Sequence, residues 1–206
     1  MSHYQHVSTF LSQKESDYLL ERLNQEVPWT QVKYYKPERG YVITPRLTWV
    51  AGFHQETLYP LDIKGRTYVP NLVPSWLVEL QSAIENHLNV KYNYLLFSLY
   101  RDEQDSIAYH SDNETFLGYN PNIASITVGA PRVFKLRHNH TKEVQPFDLA
   151  HGDLFVMKND CQRNYMHTIP KQSVKVKPRI SITFRKALNE SASKNYYKYN
   201  TMNFND

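Results

Sequence analysis

The sequence predicts a mainly β (α+β) protein in which N-terminal helices precede a jelly roll. Amphipathic helical patterns occur before residue 90, eight strand-like segments follow from residue 92, and turn-prone stretches separate those segments. A chain of 206 residues can bury a hydrophobic core without disulfides. We therefore expect one domain over residues 1–188, with a jelly-roll core at about 92–187.

Two helices are predicted ahead of the strands. The first covers about 13–26, because Ser12 and Glu15 have the spacing of a capping box and apolar residues follow at helical intervals. The second begins at Pro74, since proline is favoured in the first turn of a helix and an apolar stripe follows it. That stripe is Leu77, Leu80, Ile84 and Leu88, and the rest of the helix surface carries Glu79, Gln81, Glu85 and Asn86. Between the helices, residues 29–73 predict short strands and loops.

The strand-like segments have the apolar runs or the alternation that β-strands require. They are YNYLLFSLY, SIAYH, NIASITV, RVFKLR, PFDLA, DLFVM, YMHTI and RISITFR. After Leu188 the chain is polar and lacks an apolar period, so we expect residues 189–206 to form a mobile tail.

The composition limits the compartment in which we expect the protein. Cys161 is the only cysteine, so an internal disulfide cannot form and no oxidising compartment is needed. No apolar run approaches the roughly 20 residues of a membrane-spanning helix, and the N-terminus lacks the basic-then-apolar pattern of a signal peptide. We expect an intracellular monomer with no membrane partner, in the cytoplasm, or in the nucleus if the host is eukaryotic.

The charge and the aromatic content are compatible with a nucleic-acid partner. A net charge of +4 favours polyanions, and 16 tyrosines, nine phenylalanines and three tryptophans offer surfaces on which bases can stack. Aromatic residues are more often ordinary core and strand residues. Composition alone therefore does not establish this partner.

His110 and Asp112 are candidate metal ligands. On a β-strand, side chains two positions apart point to the same face, so this pair could bind one ion. His167, 57 residues downstream, could complete the two imidazoles and one carboxylate of a facial triad, which is typical of non-haem Fe(II) oxygenases. The ordinary alternative is a surface histidine beside a turn carboxylate. Other histidines that compete for the third position are His138, His140 and His151.

The segment Arg179–Arg185 indicates a second binding function. With period two, its polar residues share one face, and its apolar residues share the other. The polar residues are Arg179, Ser181, Thr183 and Arg185. A guanidinium binds a carboxylate bidentately and hydroxyls add hydrogen bonds, so this face suits a dicarboxylate. A metal triad combined with such a strand implies 2-oxoglutarate, although a solvated strand face is the alternative for any single arginine.

Several extended segments are similar to those of one enzyme family. They are PRLTWVAG at 45–52, SLYRDEQDSIAYHSDNE at 98–114, IASITVGAPRVFKLRH at 123–138, HGDLFVM at 151–157, and the stretch from MHTIPK to RISITFR at 166–185. In these segments the chain resembles AlkB-type Fe(II)/2-oxoglutarate dioxygenases, closest to the group that oxidatively dealkylates nucleic acids. The resemblance runs from about Val27 to Ala187. It implies a double-stranded β-helix (jelly roll) with a nucleotide-recognition lid at about 29–73.

The resemblance also implies which residues bind Fe(II) and 2-oxoglutarate. The implied Fe(II) ligands are His110, Asp112 and His167, and the implied 2-oxoglutarate ligands are Tyr100, Ser98, Arg179, Thr183 and Arg185. Arg185 would bind the distal carboxylate, whereas Arg179 would lie nearer the carboxylate at the metal. Ser98 stands where family members commonly have asparagine, so one hydrogen bond to the co-substrate would be shorter in reach or pass to water.

Substrate contacts follow from the same resemblance. The implied substrate residues are Arg46, Trp49, Tyr68, Asn113 and Glu114, with Tyr59 as a further aromatic candidate and Lys33, Lys36 and Arg39 as candidate phosphate contacts. Aromatic rings would sandwich a base removed from its stack, and plain packing is the alternative for each of them. For each of the three basic residues, a solvated charged loop is the more common alternative. Arg46 would contact phosphate or substrate. Asn113 is neutral where relatives often carry an acidic residue, so charge attraction for a cationic methylated base is reduced there.

The implied reaction is oxidative dealkylation of bases such as 1-methyladenine and 3-methylcytosine in DNA or RNA, releasing formaldehyde, succinate and CO2. Fe(II) would be the cofactor, with 2-oxoglutarate and O2 as co-substrates. One alternative is a dioxygenase of a protein or a small molecule. Another is a catalytically weak nucleic-acid-binding module, against which the complete triad and the arginine pair argue.

Overall fold

The computed structural model describes residues 2–36, 38, 40–52, 71–113 and 117–188, and at 33–36 it describes the backbone alone. The helices are α1 (Gln13–Glu26), α2 (Val78–Leu88) and α3 (Cys161–Asn164), and a 3-10 turn at Ser75–Leu77 leads into α2. The strands are β1 (Tyr4–Val7), β2 (Thr30–Lys36), β3 (Gly40–Gly52), β4 (Tyr94–Tyr100), β5 (Ile107–His110), β6 (Ile123–Gly129), β7 (Arg132–His138), β8 (Val144–Leu149), β9 (Leu154–Met157), β10 (Tyr165–Ile169) and β11 (Arg179–Arg185).

The strands form two sheets, as a jelly roll requires. The larger sheet has the order β1-β9-β6-β11-β4-β3-β2, and the smaller has the order β5-β10-β7-β8. All of these strand pairs are antiparallel. β11 lies between β4 and β6 in the middle of the larger sheet, so hydrogen bonds to a neighbouring strand on each side fix its backbone and the direction of its side chains.

Apolar side chains pack on both faces of the larger sheet. One cluster joins α1 and α2 to the outer face, where Leu23, Leu77 and Ile84 are fully buried. Burial of each such side chain stabilises the fold by about 1.5–3 kcal/mol relative to exposure. The other cluster lies between the sheets and includes Phe134 and Phe155. The helices therefore stabilise the large sheet from outside and leave its inner face for the site.

The local predictions for the helices are largely confirmed. Ser12 and Glu15 form the capping box, with Ser12 N–H donating to Glu15 Oε2 at 2.8 Å and Glu15 N–H to Ser12 Oγ at 3.3 Å. The α-helical part of the second helix begins at Val78, after the 3-10 turn. Glu85 is buried, contrary to its placement on the polar surface, because its carboxylate accepts from Lys91 Nζ at 2.7 Å and Tyr92 N–H at 3.0 Å.

In the described part of 29–73, one strand is longer than the prediction of short strands. β3 is 13 residues long, and it pairs with β2 between Gly40 and Thr48 and with β4 from Leu47 onward. The tail at 189–206 lies outside the described residues. The extent of the domain, 1–188, stays a prediction.

No helix in the described part of the chain combines the length and the apolar character needed to cross a membrane.

Candidate metal centre and co-substrate pocket

His110, Asp112 and His167 converge on one point between the two sheets. Each offers a ligand atom within 4.8 Å of the other two. Nε2 of His110 lies 3.7 Å from Oδ1 of Asp112, and Nε2 of His167 lies 3.9 Å from Oδ2 of the same carboxylate. In the part of the chain that the structure describes, this is the one such group of His, Cys, Asp and Glu.

Strand pairing explains why the two histidines meet. His110 ends β5 and is the cross-strand partner of His167 in β10, and their ring centroids are 4.1 Å apart. Opposed residues of an antiparallel pair have side chains on the same face, so both imidazoles point between the sheets. Phe134, on the neighbouring β7, packs 5.5 Å from the His167 ring.

Asp112 reaches the site by a different route from the one predicted. β5 ends at His110, so Asp112 does not lie on the strand, and alternation does not set its direction. Its backbone N–H donates to Oε1 of Gln162 at 2.8 Å, and Nη2 of Arg185 lies 2.9 Å from its Oδ1. The predicted convergence is therefore present, but contacts with distant residues produce it.

The protonation states at the site suit a divalent metal. Burial is the main cause that lowers the pKa of His167 to about 3, with His110 adding to the effect and Asp112 opposing it. Burial likewise lowers the pKa of His110. For Asp112, burial would raise the pKa, but Arg185 and the two histidines outweigh it and hold the pKa below its usual value. At neutral pH the group therefore presents two neutral imidazoles and a carboxylate, which are the states that bind a metal.

The tautomer of His110 is also appropriate for a ligand. Nδ1 lies 2.9 Å from the carbonyl oxygen of Ala108. A carbonyl only accepts, so Nδ1 carries the proton and the lone pair of Nε2 faces Asp112. The chemistry of the donor set therefore fits Fe(II), with two nitrogen ligands and one oxygen ligand.

Arg179 is a buried cation at the same cavity. It is 2% exposed, Nη2 donates to Thr127 Oγ1 at 2.8 Å, and the guanidinium lies 5.4 Å from the Tyr100 ring centroid. Burial lowers its pKa to about 10, so it remains charged at neutral pH. Within the described residues no carboxylate pairs with it, and its Nε has no hydrogen-bond partner. A buried charge without a counter-charge is costly, which makes this position suited to an anionic group.

A cavity of about 60 Å³ joins the three candidate ligands to the arginine strand. It is lined by all five residues predicted to bind 2-oxoglutarate, together with Arg46 and Ser181. The five are Tyr100, Ser98, Arg179, Thr183 and Arg185. The polar face of β11 thus points inward, and its apolar residues pack on the helix side, as the alternation predicts.

The predicted order of the two arginines is wrong. Arg185 is the one beside the candidate metal ligands, because it pairs with Asp112 at 2.9 Å. Arg179 lies six residues away at the Tyr100 end of the same strand face. Arg179 therefore lies farther from the candidate metal ligands than Arg185 does, and which carboxylate of 2-oxoglutarate each arginine binds stays a prediction.

The predicted substrate residues separate into several groups. Arg46 is only 6% exposed, lines the cavity and donates from Nε to Ser98 Oγ at 3.4 Å, so it is placed for a ligand in the cavity rather than for phosphate outside. Trp49 does not reach the site: it packs against Phe97, with centroids 4.9 Å apart, on the helix-facing side of the sheet. Asn113 is exposed and is not among the residues that line the cavity.

Other predictions fall on residues that are not described. Tyr59, Tyr68, Glu114 and the side chains of Lys33, Lys36 and Arg39 lie outside the described residues. The competing histidines do not join the triad. His138 accepts from Thr141 N–H at 3.1 Å, and His151 accepts from Gly129 N–H at 2.9 Å, so both have structural contacts elsewhere.

Gln162 is a site residue that the sequence did not reveal. Its contact with Asp112 joins positions 50 residues apart, and no local pattern reports such a pairing. A polar residue in the short segment before the third candidate ligand was the available signal.

Comparison with known proteins agrees with this geometry. The profile of the 2OG-Fe(II) oxygenase superfamily matches residues 3–185. The chain belongs to this superfamily. The matched residues therefore form a domain of the 2OG-Fe(II) oxygenase class, and the group His110, Asp112 and His167 lies within it and could hold Fe(II).

Curated relatives narrow the group within the superfamily. The chain is 35% identical over 189 residues to alpha-ketoglutarate-dependent dioxygenase alkB homolog 3 of Mus musculus, covering 85% of this chain and 63% of that protein. It is 27% identical over 208 residues to DNA oxidative demethylase ALKBH2 of Arabidopsis thaliana, covering 89% and 66%. The dioxygenase is therefore AlkB-like, and it spans less than two thirds of the length of these relatives.

Solved structures support the fold. OsALKBH1 superimposes with a TM-score of 0.61 at 14% identity, covering 90% of this chain and 99% of that one. A prolyl hydroxylase from Trichoplax adhaerens, solved with a peptide of hypoxia inducible factor, gives 0.61 at 13% identity, covering 92% and 85%. The jelly-roll architecture is shared by both.

Proposed function

We propose that this dioxygenase removes alkyl groups from N-alkylated bases, such as 1-methyladenine and 3-methylcytosine, in DNA or RNA. The observation that carries the proposal is one cavity that contains the facial triad, a buried arginine for a dicarboxylate, and Arg46 from the segment PRLTWVAG. The similarity to AlkB homolog 3 and to a DNA oxidative demethylase supports the choice of nucleic acid.

The residues of the site have distinct roles in this proposal. His110, Asp112 and His167 hold Fe(II), and Arg179 binds the distal carboxylate of 2-oxoglutarate, with Tyr100 packed against that guanidinium. When bound, Fe(II) with 2-oxoglutarate and O2 supplies the oxidant that hydroxylates the alkyl carbon, while 2-oxoglutarate becomes succinate and CO2. The hydroxymethyl group then leaves the base nitrogen as formaldehyde. Ser98 and Thr183 line the same cavity and offer hydroxyls to the co-substrate.

Access to a base requires that it leave the stack, because its alkyl group is out of reach in a helix. The two-stranded ribbon formed by β2 and β3 would contact the nucleic-acid strand from which the base is extruded. Along Gly40–Pro45, β3 pairs only with β2 in the described residues, and it exposes Tyr41 by 67% and Ile43 by 55%. Arg46 follows directly and lines the cavity, so the ribbon leads from the surface to the site.

The test is incubation with Fe(II), ascorbate and 2-oxoglutarate of a panel of DNA and RNA oligomers, each with one methylated base. Mass spectrometry is expected to show loss of the methyl group from at least one oligomer, and none without 2-oxoglutarate. Succinate formation with peptides or small molecules, while every oligomer keeps its methyl group, would refute the proposed substrate class.

A further inference from the structure

Gln162 contacts the candidate iron site without offering a ligand to it. It is 4% exposed and lies in α3, directly before the strand that carries His167. Its Oε1 accepts from the backbone N–H of Asp112 at 2.8 Å, and its Nε2 contacts Sδ of Met157 at 3.3 Å. Both ends of the amide are therefore used, which fixes its orientation.

The contact falls where the chain leaves regular structure. His110 is held by strand pairing, but β5 ends there, and among the described residues no strand pairs with the N–H of Asp112. A buried backbone donor needs an acceptor, and Gln162 provides it. Its removal leaves this donor unsatisfied and releases the backbone of the carboxylate ligand.

We propose that Gln162 is a positioning residue that sets the distance between Asp112 and the two histidine ligands. Because α3 continues directly into β10, one continuous segment holds both His167 by its strand register and Asp112 by the Gln162 hydrogen bond. Outer partners of metal ligands typically contribute about 10- to 100-fold to metal affinity. The proposal rests on the proposed function only in taking the triad as the iron site.

The experiment measures the affinity of Co(II), used alone as a stable substitute for Fe(II), in wild-type protein and in variants. Gln162→Met keeps the length of the side chain but removes the acceptor. Gln162→Glu keeps the acceptor that faces the Asp112 N–H and removes only the amide donor that contacts Met157 Sδ, so it separates the two contacts. Gln81→Met is the matched control, because Gln81 Nε2 donates to Tyr92 O at 2.9 Å and Glu85 Oε1 at 3.1 Å and is absent from the cavity lining.

Gln162→Met is expected to weaken Co(II) binding by about 10-fold or more. Gln81→Met is expected to bind Co(II) as the wild type does, and Gln162→Glu is expected to bind it at least as tightly as the wild type. If Gln162→Met is folded and binds Co(II) with wild-type affinity, the proposal is overturned. Failure of the wild type to bind Co(II) would overturn both the iron site and this proposal. Loss of affinity in Gln162→Met, in a protein that demethylates no oligomer, would support the positioning role and refute only the substrate.

Amide hydrogen exchange at Asp112 gives a second test that does not depend on metal. In the metal-free protein, the amide of Asp112 is expected to exchange slowly in the wild type and in Gln162→Glu. It is expected to exchange at least about 10-fold faster in Gln162→Met, since loss of a hydrogen bond of about 1.4 kcal/mol has that effect. An unchanged rate in Gln162→Met would show that another contact holds this backbone and would overturn the proposal.

Discussion

Arg185 and Asp112 form a buried ion pair, with Nη2 of Arg185 2.9 Å from Oδ1 of Asp112 and both side chains 4% exposed. The pair joins the arginine strand directly to the candidate metal ligands. It leaves Oδ2 as the oxygen that faces His167 at 3.9 Å. Arg185 therefore balances the charge of this carboxylate in the metal-free protein.

Removal of this cation is expected to destabilise the protein. Arg185→Met leaves a buried carboxylate without its guanidinium, which typically costs about 3–5 kcal/mol. Urea unfolding of the metal-free protein measures the loss, and added Co(II) is expected to recover part of it by supplying a new positive charge. The control is Arg22→Met, which removes a partly exposed i,i+4 pair with Glu26 and is expected to cost less than about 1 kcal/mol. Equal losses in the two variants, or none, would contradict the role of the pair.

Arg179 is expected to behave differently, because no carboxylate of the described residues pairs with it. Arg179→Met should leave the co-substrate-free protein at least as stable as the wild type, since replacing a poorly compensated buried charge is often neutral or stabilising. It should weaken 2-oxoglutarate binding by about 10- to 100-fold, the effect of losing charged hydrogen bonds of about 1.5–3 kcal/mol. Calorimetric titration of the Co(II) protein measures this affinity. The control is Arg137→Met, because the Arg137 guanidinium lies over the Tyr109 ring; this variant should bind 2-oxoglutarate as the wild type does. Equal weakening of 2-oxoglutarate binding in both variants would argue against a specific role for Arg179.

Gly129 should be required for the position of Arg179. Its φ is +92°, and a Cβ there would lie 2.5 Å from Pro178 O and 3.3 Å from Arg179 Cα. Gly129→Ala therefore adds both backbone strain and a clash, for a cost of about 1–3 kcal/mol, and 2-oxoglutarate binding should fall with it. Gly40→Ala separates the two effects, because Gly40 has a φ of +70° with no atom within 4 Å of the added carbon. If Gly129→Ala costs no more stability than Gly40→Ala, the clash is absent.

Asp153 is expected to make stability depend on acid pH. Burial would raise its pKa, but N–H donors of Ala150 and Thr9 and the side chain of His6 outweigh that effect, and the pKa is lowered. A carboxylate with a lowered folded pKa stabilises the protein above its unfolded value of about 3.9, and this stability is lost as the pH falls through the folded pKa. Asp153→Asn should therefore cost about 1–3 kcal/mol at pH 7 and flatten the loss of stability below about pH 4. The control for a general charge effect is Asp17→Asn, because the Asp17 side chain is 61% exposed. If the free energy of unfolding falls with decreasing pH identically in Asp153→Asn and in the wild type, the linkage is ruled out.

Local sequence patterns were sufficient for several elements. The capping box set the start of α1, and the alternation of Arg179–Arg185 set which residues of β11 face the cavity. In both cases neighbouring residues determine the structure, so the sequence contains the whole signal. The family resemblance then indicated the reaction class.

Contacts between distant residues were not accessible in this way. The pairing of His110 with His167 depends on the register of β5 and β10, and the direction of Asp112 depends on Gln162. The predicted placement of both Arg46 and Trp49 at the site is wrong for Trp49. Residues an odd number apart on a strand face opposite sides, so Arg46 in the cavity puts Trp49 outside it. The order of Arg179 and Arg185 depends on which end of β11 meets the triad, and the local sequence does not determine this.

The most direct measurement compares succinate and formaldehyde production by wild type and Asp112→Ala on one methylated oligomer, at equal Fe(II), 2-oxoglutarate and O2, with circular dichroism to show that both are folded. The wild type is expected to form the two products in equal amounts, and the variant is expected to form neither. Succinate production by folded Asp112→Ala at the wild-type rate would contradict the assignment of His110, Asp112 and His167 as the iron site.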